Sequence, residues 1–296
     1  MPLNIRDLEY FLAIAELKHF GKAAKKCHVS QPTLSGQIKK LEEQLGISLF
    51  ERSNKKVMLT EAGEDIIPFA QSVLFNAEQI CETSQTFKNP LAGRLRLGAI
   101  PTLASYLFPD FVTQVRDQLP ELTLILTEEK TDTLVEQLNK GLIDAAIVAL
   151  PISHDFFASE VLFEDEFLLA VPTSHTFYAY SSITMEQLKN QQLLLLEEGH
   201  CLRGQALEAC AAVNIHEHNF MATSLETLRQ MVKAGTGITI MPKIATLENE
   251  KDITYIPFTS SSQSRTIGLI WRKTHLKKTV IEKTINILKS SRSHQK

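Results

Sequence analysis

Several things are scarce in this sequence, and each shortage excludes a class of protein. Cysteine occurs four times in 296 residues, too seldom for the disulfide framework of a secreted domain. There is no Cys-x-x-Cys pair, and the cysteine and histidine spacings match none of the common zinc patterns. No apolar run approaches the ~18 residues that a membrane span needs. The strongest are "LIDAAIVAL" (142–150) and "LLLLEE" (193–198), and "MPLNIRDLEY" at the N-terminus has no apolar signal core. Net charge is only −3. With 44% hydrophobic and 22% charged residues, the chain has the composition of a folded protein of two or three domains. These features predict a cytoplasmic protein without a membrane partner or cofactor, in which a working cysteine pair is redox-reactive or metal-binding.

What charge there is lies unevenly. Residues 1–60 hold ten Lys and Arg against six Asp and Glu, and the remainder holds 21 against 28. A basic head on an acidic body points to nucleic acid. Leu8, Phe11, Leu12 and Ala15 give a first helix an apolar face, and a second, short helix runs from Gly21 to Cys27. In "HVSQPT", Ser30 is a helix cap and Pro32 suits the first turn of a third helix, whose buried stripe is Leu34, Ile38, Leu41 and Leu45. Two short helices joined by a tight turn read as a helix-turn-helix, which offers the start of its second member to the major groove. Ser30, Gln31, Pro32, Thr33, Ser35 and Gln37 stand there, with Lys39 and Lys40 for phosphates. "LFERSNKKVML" reads as a hairpin wing carrying Arg52, Lys55 and Lys56.

Residues 60–88 form a long helix. Ile66, Ala70, Val73, Ala77, Ile80, Ser84 and Phe87 make a heptad seam, which predicts a homodimer through this helix. Pro68 is expected to kink it. "KNPLAG" (88–93) then opens a region of alternating strands and helices, which predicts parallel βαβ units in a doubly wound sheet. A second such series follows, with strands near 161–171, 192–196, 219–222 and 237–241 and helices near 202–213 and 224–234. "RTIGLIW" is a return strand before a terminal helix. In "ATSLETL", Thr223 and Glu226 read as a capping box, and Gly235 as a helix C-cap.

"GHCLRGQALEAC" (199–210) holds Cys201 and Cys210, and three readings stand for it. The cysteines are packing, or part of a metal site with His200, His216 and His218, or a thiol switch. Cys27 and Cys81 read as packing.

The stretch "FGKAAKKCHVSQPTLSGQIKKLEEQLGISLFERS" resembles the N-terminal signature of LysR-type transcriptional regulators. The resemblance implies an all-α winged helix-turn-helix with a long linker helix, followed by a two-lobed α/β regulatory domain of periplasmic-binding-protein type. The domains would be 1–59, 60–88 and 89–296, with lobe I at about 91–163 and 268–296 and lobe II at about 164–267. It further implies a homotetramer on promoter DNA, acting with RNA polymerase, and in many members an organic inducer between the lobes. "LEEGHCLRGQALEAC", "GAIPTL", "FMATSLETLRQMVKAGTGITIMP" and "RTIGLIWR" resemble the members that sense hydrogen peroxide. By that likeness Cys201 is the peroxidatic cysteine and Cys210 the resolving one. Thr102 and Thr131 hold peroxide or water, and His200 and Arg203 flank the thiol. A glutaredoxin or thioredoxin-type reductant would reset the pair. Gly204 stands where many of these sensors have an acidic residue.

That pairing has a geometric consequence. Within a helix, nine residues separate Cα atoms by roughly 13 Å, whereas a disulfide needs about 7 Å or less. The helix has to unwind on oxidation, and a thiol peroxidase remains the alternative from a different class.

Overall fold

The computed structural model describes residues 3–52, 57–209, 216–247, 250–259 and 263–291. They form two compact units, Met1–Ser84 and Gln85–Lys296.

In the first unit, α1 (Ile5–Leu17) starts where the Asn4 side chain accepts from Arg6 N, and buries Leu8, Phe11 and Ile14. Helix α2 (Phe20–Lys26) begins one residue earlier than expected, because the His19 ring accepts from Lys22 N at 3.2 Å and caps it. Helix α3 (Gln31–Leu45) is capped by Ser30, carries Pro32 in its first turn and buries Leu34, Ile38 and Leu41. Strands β1 (Phe50–Arg52) and β2 (Val57–Leu59) pair antiparallel as the wing. The buried Glu42 accepts from Leu49 N at 2.7 Å and Phe50 N at 3.2 Å, tying α3 to the wing. Helix α4 (Glu61–Lys88) runs as one helix with Pro68 inside it. Its heptad seam divides: Ile66 and Ala70 pack into the core of the first unit, while Val73 and Ile80 are exposed. The early positions have an apolar neighbour in their own chain, which periodicity does not register.

In the second unit β3 (Gly93–Ala99), α5 (Pro101–Gln118), β4 (Leu122–Glu128), α6 (Thr131–Lys140) and β5 (Ala145–Ala149) alternate, and β3 lies parallel to both β4 and β5. The sheet as a whole is mixed, which corrects the expected parallel one. Strand β6 (Phe157–Pro172) is followed by β7 (Gln192–Leu196), α7 (Cys201–Ala209), β8 (His216–Ala222), α8 (Leu225–Lys233), β9 (Thr239–Pro242), β10 (Ile253–Pro257), β11 (Ser264–Arg272) and α9 (Lys278–Ser291). The order β10-β6-β11-β5-β3-β4 places β11 antiparallel to both β5 and β6, and β9 and β10 antiparallel to β6. A strand returning from one half to the other without a crossover helix arrives in the opposite direction. β7 and β8 pair parallel in a separate sheet.

Two apolar cores flank the middle of β6. One draws on Leu95, Leu97, Phe111, Leu134, Ile147 and Leu162 with β11 and α9; the other on Phe167, Leu169, Leu194, Leu202, Leu228 and Ile240. Strand β6 contributes to both cores, so its residues near 164–166, and residues 264–266 of β11 that pair with them, lie at the junction.

Candidate functional site

At the start of α3 the residues expected to read bases are exposed: Ser30, Gln31, Pro32, Thr33 and Ser35, with Gln37 half-buried. Ser30 Oγ lies 2.7 Å from Thr33 Oγ1, so the cap holds the Thr33 side chain in place. Lys39 is exposed and lies 3.7 Å from Glu43. Arg52 ends β1, while its side chain and Lys55 and Lys56 lie outside the described residues.

In the second unit the N-termini of three helices meet. β3 ends at Ala99 and Pro101 starts α5; Lys130 is the N-cap of α6; Gly199, at φ +87, turns the chain from β7 into α7, whose first residue is Cys201. Ile100, Pro101, Thr102, Lys130, Thr131, Gly199, His200 and Cys201 line a narrow crevice there. Thr102, Thr131, His200 and Cys201, separated by up to a hundred residues, are thus brought together. Three helix N-termini direct partial positive charge into one place, which favours an anion.

Thr102 is 2% exposed. Its Oγ1 accepts from Arg265 Nη1 at 2.8 Å and its carbonyl from Arg265 Nη2 at 3.3 Å. With its oxygen engaged by a guanidinium, the hydroxyl proton is left to donate elsewhere. Arg265 also donates through Nε and Nη2 to Asp165 Oδ2, both at 3.0 Å, and both side chains are fully buried. Asp165 Oδ1 accepts from Ile244 N at 3.0 Å. Thr131 Oγ1 is buried and has no hydrogen-bond partner among the described residues, an arrangement suited to a small polar ligand.

His200 is buried, with Nε2 3.9 Å from Glu197 Oε1. Burial, reinforced by the Lys130 ammonium and opposed by Glu197, pushes the imidazole below its usual value. The direction of the shift favours the neutral ring, and Lys130 is the cationic side chain among the residues lining the crevice. Lys130 Nζ donates to Glu197 Oε1 at 2.7 Å, and this bond holds the Glu197 carboxyl below its ordinary range. Arg203 does not line the crevice: its Nη1 donates to Leu196 O at 3.2 Å and approaches Met221 Sδ at 3.9 Å. Two residues along a helix turn a side chain by ~200°, away from Cys201.

Cys201 is half-buried and packs against the lobe I core, although Leu202 and Ala206 of the same helix belong to the lobe II core. Helix α7 begins at Cys201 rather than Leu202; Cys210 lies outside the described residues. Burial raises the Cys27 thiol, and Cys81 is exposed. Among the described residues no group of three or more His, Cys, Asp or Glu is placed to hold a metal ion, and no helix is long and apolar enough to cross a membrane.

Beside the crevice lies an inter-lobe cavity of about 490 Å³ lined by Tyr106, Glu128, Glu129, Lys130, Glu197 and Ser224 among others. Ser224, not Thr223, caps α8, accepting from Thr227 N at 3.2 Å. Glu226 turns instead to Arg229 and to Gln230, because the cap falls one residue later than the box requires. Gly235, at φ +76, follows the last turn of α8.

Sequence reasoning missed Lys130, Glu197, Asp165 and Arg265. Lys130 adjoins Thr131 and was open to notice; Arg265 reaches Thr102 across 163 residues, which no local pattern encodes.

Residues 5–64 match the model of the bacterial regulatory helix-turn-helix protein, lysR family, and residues 88–292 that of the LysR substrate binding domain. The chain is 44% identical over 273 residues to the hydrogen peroxide-inducible genes activator of Haemophilus influenzae, covering 91% of each chain. It is similar to a full-length OxyR of Pseudomonas aeruginosa bearing a cysteine-to-aspartate substitution, with a TM-score of 0.74 and 38% identity over 97% of this chain and 98% of that one. It is also similar to a cysteine-to-serine OxyR of Corynebacterium glutamicum with hydrogen peroxide bound, with a TM-score of 0.68 and 33% identity over 99% and 94%.

Proposed function

The chain belongs to the LysR family of DNA-binding regulators, and on that premise we propose that it senses hydrogen peroxide through Cys201 and Cys210 and regulates antioxidant genes. The observation that carries this reading is the crevice itself: Cys201 opens α7 beside Thr102 and the unpartnered hydroxyl of Thr131. The Cys201 sulfur, as its thiolate, attacks one peroxide oxygen. The O–O bond breaks, the sulfur becomes a sulfenic acid, and the other oxygen leaves as hydroxide, protonated to water. Thr102 donates to the leaving oxygen, Thr131 holds the molecule, and His200 closes the wall. Cys210 then displaces water from the sulfenic acid, forming the disulfide.

The reaction is one turnover of signalling, reset by a glutaredoxin or thioredoxin-type reductant. Disulfide closure unwinds α7, shifts contacts between regulatory domains and re-spaces the recognition helices on promoter DNA, altering engagement of RNA polymerase. Exposed Val73 and Ile80 of α4 support pairing of two chains, and the family likeness supports a tetramer. The likeness to DNA-binding regulators supports work in the cytoplasm, and the two lobes with a cavity between them suit a periplasmic-binding-protein-like arrangement.

The test adds one equivalent of peroxide to the reduced protein and counts thiols. Loss of two per chain, a mapped 201–210 disulfide and an altered DNA footprint are expected. Retention of both thiols, or identical footprints and identical amide exchange over 199–220 in the two states, overturns the proposal. The inter-lobe cavity favours a second reading, a LysR regulator answering an organic inducer; under it the thiols survive peroxide. Steady peroxide turnover without specific duplex binding would mark a thiol peroxidase.

A further inference from the structure

We infer that Lys130 is a positioning residue, a strap from lobe I that holds residues 197–199 of lobe II and sets the rate at which the disulfide closes. The inference deepens the peroxide-switch reading and rests on it for the closure step. Lys130 precedes α6, whose Leu134 and Leu138 lie in the lobe I core; Glu197 follows β7, whose leucines lie in the lobe II core. Across that junction Lys130 Nζ donates to Glu197 Oε1 at 2.7 Å and to Glu198 O at 3.0 Å. Its stem lies along Gly199, where an added Cβ would meet Lys130 Cδ at 3.1 Å and Nζ at 3.3 Å. One side chain therefore grips three successive residues that lead into His200 and Cys201.

The strap and the crevice share a wall, since Lys130 and Thr131 are consecutive and both line it. Strapped, Cys201 sits against Thr102 and Thr131 in the geometry that meets peroxide. In this inference it is the start of α7 that leaves that wall once the sulfenic acid has formed, and both Lys130 bonds break as it does. The strap therefore opposes closure. Lys130 and Glu197 are 38% and 40% exposed, so the ion pair is screened and its effect is severalfold rather than orders of magnitude.

The experiment uses the full-length chain. Sulfenylation is timed with a dimedone trap in Cys210→Ser, and closure by quenched thiol counting with Cys210 present. Lys130→Met, which keeps the stem and drops the charge, is expected to raise closure relative to sulfenylation about two- to fivefold. Lys130→Arg restores the ratio, Glu197→Gln raises it, and the double variant goes no further than the larger single. An unchanged ratio in Lys130→Met, or fully additive effects, overturns the strap. Amide exchange of the reduced protein decides independently: protection over 197–201 falls in Lys130→Met and is kept in Lys130→Arg, and equal protection in all three refutes the inference. If the parent protein keeps both thiols under peroxide, the switch reading has failed, while the exchange data still decide the strap.

Discussion

Thr102 Oγ1 lies 2.8 Å from Arg265 Nη1, and Arg265 is in turn locked to Asp165 with neither side chain exposed. A guanidinium that donates to the threonine oxygen fixes the rotamer of the hydroxyl and strengthens its own donation toward the crevice. Replacing Arg265 with Met removes the buried guanidinium from the Asp165 carboxylate, at a cost of about 3–5 kcal/mol in urea unfolding of the regulatory unit. The double variant Arg265→Met with Asp165→Leu recovers much of that stability but not the sulfenylation rate. If it recovers both, Arg265 serves the fold alone.

Thr131 offers the cleaner separation of stability from reactivity. Its buried Oγ1 has no partner among the described residues, so Thr131→Val removes an unsatisfied group and leaves stability unchanged or slightly raised. Sulfenylation of Cys201 is expected to slow by tenfold or more, because a ligand contact is lost. Stopped-flow rates beside unfolding curves check this, and an unaltered rate removes Thr131 from the site.

Gly204 lies within α7, and a Cβ added there meets nothing within 4 Å. Gly204→Ala should therefore stabilise the helix by about 0.5–1 kcal/mol. Since closure requires the helix to unwind, the same substitution slows disulfide formation by roughly two- to fivefold while leaving the sulfenic step alone. Equal closure rates would mean that α7 stays folded through the step.

His200 and His175 are both held below the usual 6.5, burial being the first cause in each. Above pH 6.5 neither state is protonated and their full contribution to stability is present. As pH falls below 6.5 the unfolded chain takes up protons before the folded one, so stability is lost toward the folded value. Melting temperature is expected to drop between pH 7 and 5, with a shallower slope in His200→Asn. Parallel curves for variant and parent would place the titration elsewhere.

For DNA, Gln31→Ala and Thr33→Ala are expected to change the preferred bases, because both side chains are exposed at the start of α3. Lys39→Ala should weaken every sequence alike and reduce the salt dependence of binding by about one charge. Binding to a panel of randomised duplexes at two salt concentrations distinguishes these outcomes. Unaltered preference in both polar variants would move the reading surface off α3.

Much of the fold was open to local reasoning. The Ser30 cap with Pro32, the apolar stripes of α1 and α3 and the alternating elements from residue 93 all depend on neighbours within a turn or a strand. The direction of the sheet was not, since β9, β10 and β11 come back antiparallel to β6 from distant parts of the chain and make it mixed. The heptad seam misled in its first half, because Ile66 and Ala70 find their apolar partner within their own unit.

For the site, the sequence by itself supplied the candidates: Cys201 and Cys210 in one short stretch, with Thr102, Thr131, His200 and Arg203 added by the likeness to the peroxide-sensing members. Only the tertiary structure decided which charges surround it. His200 is shifted toward its neutral form because it is buried beside Lys130, and Arg203 faces Leu196 because the helix turns it there. Arg265 reaches Thr102 because β11 pairs with β6 at the junction of the two cores. Chemical type and local conformation are written into short stretches of chain, whereas desolvation and long-range pairing exist only once distant segments have packed.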